Sequence, residues 1–163
     1  MLGLSQQLKL MTTSFSATAM PWTRKSKLVG YSAVCYAGPA LVLRDGTGIF
    51  ARVFSLLWCL QVGACFWSDY TWTGHAHVSH GVDRWLASSL LVAMVVLASS
   101  HLSVAHALTA AALPLYCLRR GKLAVADSDW PRYVMWHSLW HLTGPVVSCA
   151  VLMRINAVSS VLA

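Results

Sequence analysis

The chain has no glutamate in 163 residues, and its five acidic residues are all aspartates. Charged residues make up only 10% of it, against about 25% in a soluble domain. That scarcity excludes an ordinary water-facing surface. The five cysteines (Cys35, Cys59, Cys65, Cys117, Cys149) contain no CxxC and no zinc-ribbon spacing, which excludes a disulfide scaffold and a zinc-finger class. They read as small apolar packing residues. There is no internal repeat, no low-complexity tract, and no short apolar core with a small-residue cleavage site ahead of the first apolar stretch.

What is abundant is apolar surface: 57% of residues are hydrophobic and the mean hydropathy is +0.59. Five apolar stretches, at 28–43, 48–67, 85–100, 102–117 and 134–153, each approach the ~20 residues needed to span a bilayer. A single helix from 85 to 117 would be far longer than a bilayer requires, so a tight turn is expected through Ser99-Ser100-His101-Leu102-Ser103. The expected fold is all-α, a polytopic integral membrane helical bundle of about five transmembrane helices. The bundle is placed at 28–156, after a basic segment at 1–27 and before a C-terminal tail at 157–163.

If five spans alternate sides, segment 1–27, loop 68–84 and loop 118–133 share one face. That face carries nine of the twelve basic residues: Lys9, Arg24, Lys25, Lys27, Arg84, Arg119, Arg120, Lys122 and Arg132. Arg44, Arg52 and Arg154 fall on the other. The bias puts the N-terminus inside, and merging the third and fourth spans would weaken it. Because the net charge of +7 follows topology, anionic phospholipid headgroups are the expected partner, and nucleic acid is not. The first 27 residues combine basic residues with Ser and Thr and no acid, the composition of a mitochondrial or plastid targeting segment or of a solvated inner-face tail.

Ionisable side chains inside apolar spans are costly and usually functional. The last span carries Trp136-His137-Ser138-Leu139-Trp140-His141, with two histidines at i and i+4, a spacing that presents two imidazoles to one metal. Ser68 and Asp69 close the second stretch and Asp83 precedes the third, so the expected topology gathers them near the same inner end. An acid such as Asp83 could orient a metal-bound water there or take its proton. The alternative is that His137 and His141 are interfacial histidines bonded to loop carbonyls.

Ser68, Asp83 fifteen residues on, and the pair His137 and His141 together resemble the alkaline ceramidase and CREST-type membrane hydrolase superfamily. The resemblance covers roughly 68–141 and rests on a handful of positions. It implies a catalytic zinc and hydrolysis of a lipid amide, with Ser68 and Asp83 as catalytic residues and His137 and His141 as zinc ligands. The family's further histidine, four residues after its serine, is replaced here by Trp72, so one ligand is missing; His80, His75 or His77 would have to substitute from the loop. The family's seven helices are also reduced to about five.

Haem requires two imidazoles at matching depth on facing helices. His101 and His106 belong near the outer turn, far from His137 and His141. A haem- or quinone-binding anchor is therefore the lesser alternative, and the tryptophans at 67, 72, 85, 130, 136 and 140 read first as an aromatic belt. The favoured expectation is a membrane protein with a degenerate hydrolase-like site and no cofactor, packed as an accessory subunit in a large organellar complex, first of all in the mitochondrial inner membrane, with plastid or endomembrane as alternatives. An active zinc-dependent lipid amidase using Asp83, His137, His141 and a loop histidine is the rival.

Overall fold

The computed structural model describes residues 21–158 apart from positions 47 and 76. Most of the basic 1–27 segment, Lys9 included, and the end of the C-terminal tail therefore lie outside the described residues. The chain is all-α, with no strand among the described residues. Helix α1 (Lys27–Ser32), a 3-10 turn (Ala33–Tyr36) and α2 (Ala37–Val42) run on from one another; α3 (Ile49–Phe66) ends in a π-helical turn (Trp67–Thr71); α4 (Val78–His101), α5 (Val104–Ala126) and α6 (Trp130–Val158) complete the bundle.

Each of the five apolar stretches falls on one helical segment. Three are long and apolar enough to cross a membrane: Ile49–Thr71, Val78–His101 and Trp130–Ala157. The first segment is shorter than a bilayer requires and its winding changes at Ala33, while α5 carries Arg119, Arg120 and Lys122 in its last turns. The expected turn is present. Helix α4 stops at His101, and Ser103 starts α5 by accepting a hydrogen bond from the His106 amide (3.2 Å).

The ends of the helices explain how the site is assembled. Ser26 caps α1 through the Val29 amide (3.3 Å), His77 caps α4 through the Ser79 amide (3.1 Å), and Asp129 accepts from the Arg132 amide at the start of α6 (3.1 Å). All three caps lie at one end of the bundle. Trp22 packs edge-on against Trp130 (5.2 Å), Arg24 sits over the Trp130 ring (5.7 Å) and Lys25 over Tyr70 (5.6 Å). Residues 22–25, the end of α3 and the α5–α6 turn thus converge, as the alternation of spans requires. Gly30 fits here because a Cβ on it would meet the Tyr70 ring at 2.7 Å. Beneath this end, Tyr36, Trp58, Leu90, Met94, Leu152 and Ile155 belong to the main apolar core. Many large apolar side chains on the outside stay exposed, including Leu56, Leu60, Val92, Val96 and Val146, the arrangement a lipid solvent permits.

Candidate metal and polar centre

The two histidines of α6 point inward one turn apart, with ring centroids 4.6 Å from each other. His141 is 1% exposed. The acid that meets them is Asp69, not Asp83. Asp69 Oδ2 accepts a hydrogen bond from His137 Nε2 at 2.8 Å and lies 3.3 Å from His141 Nε2.

Asp69 reaches this position because α3 does not end as a regular helix. The π turn Trp67–Thr71, in which the Trp72 amide bonds back to the Trp67 carbonyl (3.2 Å), brings the adjacent residues Ser68 and Asp69 both into the interior. Thr73 holds the turn by donating to the Asp69 carbonyl. One α-helical turn before Asp69, Cys65 is 1% exposed, with its thiol 3.6 Å from Asp69 Oδ2 and 3.2 Å from His141 Nε2. Cys65 is therefore part of the polar cluster rather than simple packing, whereas Cys35, Cys59, Cys117 and Cys149 are free thiols outside it.

Asp83 pairs with Gln61 of α3, whose Nε2 donates to Asp83 Oδ1 at 2.6 Å, and the described bonds join Asp83 to neither histidine. That corrects the expected arrangement. The residue of α4 that enters the cluster is His80, three positions earlier, because the turn at Gly74 (φ +77°) and the His77 cap set the start of α4 with His80 against Ser68. His80 Nε2 faces two carbonyls, of Trp72 (3.2 Å) and His75 (3.1 Å), and so must donate its proton there. Its Nδ1 is left to accept from the Ser68 hydroxyl at 2.7 Å. His80 is fully engaged in this way and lies outside the donor trio described next. Trp72 stacks flat on His77 (4.1 Å, 4° between planes), and His75 and His77 stay with that loop.

Cys65 Sγ, Asp69 Oδ2 and His141 Nε2 all lie within 4.8 Å of one another and can hold a metal ion. Tetrahedral ligands at about 2.0–2.3 Å from zinc are separated by about 3.3–3.8 Å, and the three edges here are 3.2, 3.3 and 3.6 Å. Proton counting points the same way. Ser32 gives its hydroxyl proton to the Val29 carbonyl (2.8 Å), so toward His141 it accepts, and His141 Nδ1 (2.9 Å away) is the donor. In a neutral imidazole that leaves Nε2 unprotonated, facing a carboxylate oxygen at 3.3 Å. Two acceptors face each other beside the Cys65 thiol, which has one proton for the pair; a metal ion between them, or a second proton on His141, would relieve the remaining repulsion. His137, bonded to the far side of the same Asp69 oxygen, is placed to orient that carboxylate.

His101 and His106 lie at the opposite end of the bundle, where His106 bonds Ser103 (2.7 Å), so they cannot share a haem with His137 and His141. No protein-family model, curated protein or solved structure matches this chain.

Proposed function

We propose that this chain is a small polytopic membrane protein whose inner end is closed by a metal clamp, and that it serves as a structural, accessory subunit of a larger membrane complex. The observation that supports this most directly is the convergence on His141 of Ser32 from α1, Cys65 from α3 and Asp69 from the turn that follows, with His137 behind Asp69. Cys65, Asp69 and His141 would hold one divalent ion of the zinc class. Such an ion supplies a positive charge that two buried acceptors otherwise lack. The trio would fill three of the four tetrahedral positions of such an ion; its burial, which denies a substrate access, is what favours a structural role. The basic, Ser- and Thr-rich start of the chain favours the mitochondrial inner membrane, with the basic end of the bundle inside.

A second reading, a ceramidase-like lipid amide hydrolase, draws support from one observation. Ser68 and His80 form a hydroxyl–imidazole pair at 2.7 Å with the imidazole oriented by two carbonyls, the arrangement of an activated nucleophile. Reconstituting the full chain and assaying lipid amide hydrolysis beside the Ser68→Ala variant separates the two readings. The structural role predicts no hydrolysis above background in either protein. Turnover that disappears in Ser68→Ala would overturn it.

A further inference from the structure

On the outside of the bundle, α1 and the 3-10 turn lie beside α3 without closing on it. Gly30, Ala33 and Gly63 are too small to fill the space between the two segments, and a groove of about 290 Å³ remains, walled by Tyr31, Val34 and Phe66 and open to the surroundings. A Cβ on Gly63 would meet nothing within 4 Å. Gly63 and Phe66 belong to the span Ile49–Thr71, so in a membrane the groove opens onto lipid. An open apolar groove there is filled by hydrocarbon, because leaving it to water is costly and lipid tails are the solvent in contact with it.

One end of this groove carries positive charge. Tyr31 stacks on Phe66 (6.4 Å between ring centroids) and on Tyr70 (6.1 Å), and the Lys25 ammonium lies 5.6 Å from the centre of the Tyr70 ring. Lys27 stands one helical turn before Tyr31 on the same face of α1. Both lysines are exposed, and among the described residues neither is paired with an acid. A zwitterionic headgroup neutralises its own phosphate, whereas an anionic one leaves a negative charge for two ammonium groups at the surface. We propose that this groove binds one anionic phospholipid, with an acyl chain laid over Gly30 and Gly63 against Tyr31 and Phe66, and its phosphate held by Lys25 and Lys27. The proposal rests on the membrane placement of the bundle and is independent of the metal clamp.

The test is native mass spectrometry of the full chain released from nanodiscs of equal phosphatidylglycerol and phosphatidylcholine. Retention of one phosphatidylglycerol in preference to phosphatidylcholine is expected. Lys25→Gln and Lys27→Gln should each lower that preference about fivefold. Lys122→Gln, which removes a charge from the last turns of α5 instead, should leave it unchanged. Gly63→Leu puts a side chain into the open groove and should lose the retained lipid while leaving the helical circular dichroism unchanged. Because Lys25 and Lys27 are on the surface, their variants remain informative if Gly63→Leu fails to fold. Equal retention of the two lipids, an unchanged preference in both lysine variants, or unchanged retention in a folded Gly63→Leu would overturn the proposal. Metal content is expected to be the same in all of these variants, so failure of the lipid site and failure of the clamp are distinguishable.

Discussion

At the scale of single residues, two aspartates near one end of the bundle have different surroundings. Asp69 meets both α6 histidines and the Cys65 thiol, whereas Asp83 meets Gln61. Replacing His141 with alanine leaves Asp69 with His137 but removes its second imidazole, takes from Ser32 and Cys65 their contact with the ring, and opens a buried cavity. A loss of about 3 kcal/mol is expected, read as a lower unfolding temperature in detergent. His137→Ala leaves the trio intact but removes the group that orients Asp69, so metal affinity should fall about 10- to 100-fold in a competition titration. Asp83→Asn should leave metal affinity unchanged, and an equal loss there would contradict the assignment. The importance of the two histidines was legible in the sequence, because imidazoles one turn apart in an apolar helix are costly to bury unless each meets a partner. Cys65 was not legible, because a lone cysteine in an apolar stretch has the composition of packing.

At the scale of elements, hydropathy located the helices well, since each apolar stretch must bury its backbone polar groups in a helix of its own. The Ser99–Ser103 turn was readable for the same reason, with Ser103 as a capping residue. What hydropathy could not show is which side chain a helix end turns inward. That depends on the π turn after Phe66 and on the loop at Gly74: the first sets Asp69 in the place beside the α6 histidines that the family resemblance gave to Asp83, and the second sets His80, one of the loop histidines the sequence offered, against Ser68. The close fit of α1 against the π turn is itself testable. A Cβ on Gly30 would lie 2.7–2.9 Å from three atoms of Tyr70, so Gly30→Ala should destabilise the protein by about 1–3 kcal/mol. Because Tyr70 follows Asp69, the same variant should weaken metal retention; unchanged stability and retention would mean that α1 does not brace the turn.

At the scale of the whole molecule, the helices alternate so that residues 22–25, the π turn and the α5–α6 turn share one end, while the α4–α5 turn lies at the other. With a bilayer around it, a reporter at Ser103 and one at Arg132 should be reached from opposite sides by an impermeant label, and labelling of both from one side would contradict the topology. The count of basic residues along the sequence is what supports the proposal that this end faces inward. The central claim, that a cation joins Cys65, Asp69 and His141, is tested most directly by the zinc content of the untagged full chain purified from its native membrane and measured by inductively coupled plasma mass spectrometry. The account predicts about one zinc per chain in the native protein and almost none in Cys65→Ser. A folded, native protein free of zinc and other divalent metals would contradict it.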